Sequence, residues 1–203
     1  MSAKTDSQNP PYMEYSSHEG DYKIFGFWIF LGAEIALFST LFASYLVYQG
    51  QTAGGPTAAD LFIVKDFMIM TFLLLTSSFT CGLAVHQMRL MNKKGYFFWM
   101  GLTLLLGAGF LYLEIHEFIT YVSEGATIQT SAFLSAFYLL VGTHGAHVTV
   151  GIIWILLLFL QVAKRGFTPM TTRKIFITGL YWHFLDVVWI FVFTAVYLMG
   201  VMS

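Results

Sequence analysis

Residues 132–163 read "AFLSAFYLLVGTHGAHVTVGIIWILLLFLQVA", a run with no Asp, Glu, Lys or Arg. As a helix rising 1.5 Å per residue it would be roughly 48 Å long. That exceeds the ~30 Å of hydrocarbon in a bilayer, so such a helix tilts or projects beyond it. Four more apolar runs, at about 24–48, 67–88, 96–118 and 175–202, each reach the ~20 residues that a crossing requires. No alternation of period two marks a membrane barrel, and any other backbone would leave polar groups unpaired in lipid. Composition agrees: 57% of the 203 residues are hydrophobic and 10% charged, where soluble domains carry about 25% charged. The expected fold is an all-α integral membrane protein with five transmembrane helices.

The rest of the chain is short connections. Residues 1–23 form a polar N-terminal tail with Pro10-Pro11 and no apolar signal core, and 24–203 form a single five-helix domain whose first helix is an uncleaved anchor. The longest loop, "QGQTAGGPTAADLFIVKD" at 49–66, carries a Gly-Gly-Pro turn signal. Basic residues are divided by side. Lys4, Lys23, Arg89, Lys93, Lys94, Lys164, Arg165, Arg173 and Lys174 fall on one side, and Lys65 alone on the other. The positive-inside rule then puts the N-terminus inside and the C-terminus outside. A net charge of −1 suggests no nucleic-acid surface. The single cysteine, Cys81, cannot form an intrachain disulfide and reads as a packing residue. Glycines within the spans, among them Gly26, Gly32, Gly101, Gly107, Gly145 and Gly151, read as points of close helix approach. Tyr48, Tyr96, Trp99, Tyr121, Tyr181 and Trp182 lie near run ends and read as interfacial anchors.

Chemistry is confined to a few ionisable groups inside the runs. By rise per residue, Glu34 lies about 15 Å from the inner end of its helix, His183 about 12 Å and Asp186 about 16 Å. His144 and His147 lie about 18 and 22 Å down from the outer end, so all five fall near the middle or inner half. Glu114 and Glu117 stand about 27 Å or more from the inner end, an outer-interface pair with water close by. His144/His147, His183/Asp186 and Glu114/Glu117 are each spaced i, i+3, on one helix face. A metal reading of these is poor, because a di-iron bundle uses Glu-x-x-His pairs with further carboxylates. The expectation is a hydrogen-bonded polar seam with no metal ligands and no catalytic residue. Glu34 stands alone in "FWIFLGAEIALFSTLF" and needs a hydrogen-bonding neighbour, or a histidine from the fourth or fifth helix with which to share a proton. It is the best candidate for a proton relay.

Four segments carry a resemblance: "GFWIFLGAEIALFSTLFASY" (26–45), "LLLGAGFLYLEIHEF" (104–118), "SAFYLLVGTHGAHVTVGIIW" (135–154) and "YWHFLDVVWIFVFTAVYLMG" (181–200). They resemble subunit III of the haem-copper terminal oxidases from about residue 24 to the end. The resemblance implies an accessory chain with no haem or copper of its own, the redox centres lying in subunits I and II, with haems and copper in subunit I. It implies subunit I as chief partner, with subunits II and IV, bound phospholipid, and a bacterial plasma membrane. Glu34 matches a buried acid associated with lipid-filled space and proton uptake near subunit I. Mitochondrial members have seven helices, so this chain lacks the first two and with them one wall of the family's lipid cleft. "MEYSSHEG" (13–20), "TFLLLTSSFTCGLAVHQMR" (71–89) and the length are most similar to the menaquinol-oxidising branch, which makes quinol the expected substrate of the complex. The cytochrome c branch shares most of these motifs and stays open. Two readings from other classes are a membrane cytochrome binding haem through His144 or His183, and a proton-coupled transporter built on Glu34, Asp186 and the histidines.

Overall fold

The computed structural model describes residues 13–15 and 18–202. Five of its helices are long and apolar enough to cross a membrane. In chain order, α1 (His18–Tyr48) is followed by a short α2 (Ala58–Leu61), then α3 (Val64–Arg89), α4 (Lys93–Ser123), α5 (Ala132–Arg165) and α6 (Pro169–Val192). The last runs on through a π-helical turn, Phe193–Leu198, into α7 (Met199–Met202). Helix α1 begins six residues before the expected boundary at 24, because no proline lies between His18 and Lys23 and a single glycine there is tolerated in a helix. Most of the expected tail, residues 1–12 and 16–17, lies outside the described residues.

Local chemistry explains where each span stops. Asn92 caps α4, its side-chain oxygen accepting from the Gly95 amide at 3.2 Å, while its amide donates to Gln87 at 2.8 Å. Ser131 caps α5 and Thr168 caps α6, with Pro169 in the first turn, where its missing N–H costs nothing. Gly166, at φ +68°, closes α5, its amide bonding Val162 O at 2.8 Å. In the first loop the Thr57 hydroxyl and amide hold Asp60, keeping its carboxyl below the ordinary value.

Helices α3, α4, α5 and α6 pack on one another, and α1 lies outside them against α5 and α6. Trp182 on α6 is the central peg. Its six-membered ring enters a notch left by Gly107 on α4 and Gly151 on α5, where added Cβ atoms would stand 2.7 and 2.9 Å from ring atoms. Its indole N–H donates to Ser77 on α3 at 2.9 Å, and Ser77 donates to the Thr103 carbonyl on α4 at 3.2 Å. Trp189, about two turns later, donates to Thr71 at 3.0 Å. Hydroxyls of α3 thus bind the bundle where water cannot compete. Trp182 and Tyr181, expected at an interface, are 1% and 3% exposed. Tyr96 and Tyr121 are buried as well. Close packing holds at Gly107, Gly145 and Gly151, whereas nothing lies within 4 Å of a Cβ built on Gly26, Gly32 or Gly101. Cys81 is buried and free.

At the end of the bundle read as inner, the turn Met13–Tyr15 docks on α6 and α1. Glu14 is 1% exposed and accepts from Arg89 Nε at 3.0 Å. Its carbonyl accepts from Arg173 Nε at 3.4 Å, and the Arg89 guanidinium lies over Phe176. A hydrogen bond to a charged group contributes about 1.5–3 kcal/mol. Glu14→Ala should therefore loosen the segment ahead of α1, read as faster proteolysis before residue 18 at unchanged cleavage elsewhere.

Candidate functional site

The polar groups of the spans separate into two clusters. In the first, Glu34 of α1 meets His147 of α5: Oε2 and Nε2 are 3.1 Å apart, with side chains 13% and 21% exposed. The other ring nitrogen, Nδ1, donates to the Thr143 carbonyl at 2.7 Å, since a carbonyl only accepts. One proton is therefore held between Nε2 and Oε2, either as an imidazolium–carboxylate pair or as a carboxylic acid donating to neutral imidazole. Phe38 covers the histidine ring, at 5.2 Å between centroids, and Tyr181 Oη donates to the His147 carbonyl at 3.1 Å. Rise per residue places Glu34 and His147 in the same zone of the bundle. What it left open was the rotation of each helix, and this turns the two groups together.

His144, one turn away, does not share this partner. It is fully buried between Phe110 of α4 and Trp189 of α6, and its Nε2 donates to the Leu185 carbonyl at 3.2 Å. His183 is held from α3, with Ser78 Oγ 2.7 Å from its Nδ1, whereas Asp186 Oδ1 is buried with no hydrogen-bond partner among the described residues. Glu34, His144, His147 and His183 bond to a hydroxyl, to carbonyls or to one another. Among the described residues no group of three or more His, Cys, Asp or Glu side chains converges as a metal site.

The second cluster lies toward the other end, and here the expected water-facing pair is divided. Glu117 accepts from Tyr121 Oη at 2.7 Å and from Tyr197 Oη at 2.8 Å. Tyr197 comes from the π-helical turn, whose extra residue re-aims its side chain. Glu117 also borders a cavity of about 280 Å³ lined by Asp66, His116, Tyr121, Ile63 and Met70. Glu114 turns the other way, into the α4–α5 contact, and is 1% exposed. Gly145 makes the space, for a Cβ there would meet the Glu114 carboxyl at 2.5–2.8 Å. The sequence reading did not find the hydroxyl partners Ser77, Ser78, Tyr121 and Tyr197. A row of Ser and Thr inside the second run, at 76–80, is the available signal for the first two.

Comparison with known proteins agrees with this geometry. A family model described as Cytochrome c oxidase subunit III matches residues 19–201. The chain is 61% identical over 198 residues to quinol oxidase subunit 3 of Bacillus subtilis (strain 168), covering 98% of this chain and 97% of that one. It is 62% identical, with the same coverage, to quinol oxidase subunit 3 of Bacillus spizizenii. It is also 53% identical over 185 residues to cytochrome c oxidase subunit 3 of Bacillus sp. (strain PS3), covering 91% and 89%. Five apolar spans and a match across nearly the whole length coincide: the chain belongs to the cytochrome c oxidase subunit III family.

Proposed function

We propose that the chain is subunit 3, a non-redox accessory subunit, of a proton-pumping quinol:oxygen terminal oxidase in a bacterial plasma membrane. The observation that carries this is full-length identity above 60% to two chains named quinol oxidase subunit 3. The division of lysine and arginine supports an N-terminus inside and a C-terminus outside. Its partners are subunit I chiefly, with subunits II and IV, and the complex draws electrons from quinol through haems and copper held elsewhere. Apolar grooves of about 270 and 340 Å³ between α1 and α6, lined by Trp28, Ile35, Phe42, Phe184 and Phe191, suit acyl chains and support a lipid-binding role. The Glu34–His147 pair, holding one proton in the membrane, supports a part in proton uptake toward subunit I.

The specific rival is subunit 3 of a cytochrome c oxidase, favoured by the 53% identity to the chain of that name. Purification of the native complex through a tag on this chain separates the two. The expected complex carries haem in its largest subunit, oxidises quinol and shows no copper signal from subunit II. A copper-bearing subunit II with cytochrome c oxidation would replace quinol by cytochrome c. A Soret band from this chain alone would overturn the accessory reading altogether.

A further inference from the structure

Buried polar atoms in folded proteins nearly always have a partner, so those without one point to something that completes them. Three such atoms belong to neighbouring residues at the α4–α5 contact: both carboxyl oxygens of Glu114 and Nδ1 of His144. Glu114 is 1% exposed and His144 fully buried. Their proximity follows from two contacts. The Glu114 carboxyl presses on Gly145, the residue after His144, and Phe110, one turn before Glu114, packs edge-on against the His144 ring at 5.7 Å.

The chemistry of the set is one-sided. His144 Nε2 carries its hydrogen toward the Leu185 carbonyl, which leaves Nδ1 of the neutral ring as a bare acceptor. Among the described residues no donor reaches Glu114 either. The donors of this region converge on its neighbour, because Tyr121 and Tyr197 both point at Glu117. Of the two carboxyls three residues apart, Glu117 is the one equipped to hold a negative charge. Glu114, which meets no hydrogen-bond donor among the described residues, is equipped to hold none. His147 faces away, toward Glu34 of α1.

We infer that Glu114 and His144 enclose an internal site for one water molecule and one proton. The acid form of Glu114 keeps the proton, and the water carries the hydrogen bond onward to Nδ1. A buried water typically makes about three hydrogen bonds to otherwise unsatisfied groups, which is the number of atoms here in need of one. The site is a proton store separate from Glu34–His147 and buried within the bundle. It does not depend on which donor the oxidase uses.

Two measurements on the intact complex test it. A density map that resolves ordered water should show one peak within hydrogen-bonding reach of both the Glu114 carboxyl and His144 Nδ1, and a dry contact there overturns the site. In infrared spectra taken in H2O and D2O, Glu114→Gln should remove one exchange-sensitive carboxylic-acid band. Glu34→Gln should leave that band in place. A carboxylic-acid region unchanged by Glu114→Gln means that Glu114 is ionised, and sinks the proposal. The map uses the unsubstituted chain and decides the matter even if the Gln variant fails to assemble.

Discussion

Trp182→Ala should cost the bundle about 3 kcal/mol, enough to lower the melting temperature of the solubilised complex by several degrees and to shed this chain during purification. The figure is taken from the low end of large-to-small core substitutions. In a bilayer the transfer part of such a loss is small, because lipid tails are as apolar as the core. The packing part remains: an indole ring contacts three neighbouring helices, and each lost atom pair forfeits dispersion energy that alanine cannot replace. Trp182 is 1% exposed, wedged between Gly107 and Gly151, and tied to Ser77 at 2.9 Å. The same peg can be disturbed from its socket. Gly107→Val would put atoms within 3 Å of a rigid ring that has no free end to move aside, an overpacking cost of about 1–3 kcal/mol. Gly101→Ala, with nothing within 4 Å of the new Cβ, is the matched control and should not destabilise. Equal melting temperatures for Trp182→Ala and the unaltered chain would show that the α3–α6 contact does not rest on this residue.

That result also bears on what a sequence of this kind reveals. Hydropathy and rise per residue report depth, and depth was enough to define five spans and to place Glu34 in the same zone as His147. Rotation is a different quantity. In a soluble helix the polar stripe marks the outward face, but here lipid and core are both apolar, so Phe25 and Phe38 look alike although one is 63% exposed and the other 2%. Hence Trp182 near a run end reads as an interfacial anchor, when the glycines at 107 and 151 on two other helices draw it inward. Glu114 reads as facing water for the same reason, and only the missing Cβ of Gly145 explains why it does not. Contacts that cross many residues were equally hidden. Nothing local in "MEYSSHEG" announces that Glu14 meets Arg89, 75 positions away. The π-helical turn that aims Tyr197 has no composition of its own.

The Glu34–His147 pair gives the sharpest test of the buried chemistry, because the costs of its single substitutions should cancel, not add, in the double substitution. His147→Leu leaves an unpaired carboxyl in the membrane. Removing one member of a buried pair typically costs about 3–5 kcal/mol, with the lower end appropriate to side chains 13% and 21% exposed. Glu34→Leu leaves only Nε2 unsatisfied, a penalty of about 1–3 kcal/mol. Replacing both together removes the need for pairing, and such apolar substitutions are often neutral or stabilising. Retention of the chain in the complex through a detergent series should therefore fall most for His147→Leu, less for Glu34→Leu, and recover in the double variant. A double variant as weak as the worse single would show that the two do not act as a pair. Glu34→Gln separates structure from function. Its amide can still donate to Nε2, so assembly and haem content should stay near those of the unaltered complex. Oxygen reduction should persist, with any deficit appearing in the rate of proton uptake. Complete loss of oxygen reduction on that one change would make Glu34 part of the catalytic machinery and refute an accessory role for the chain.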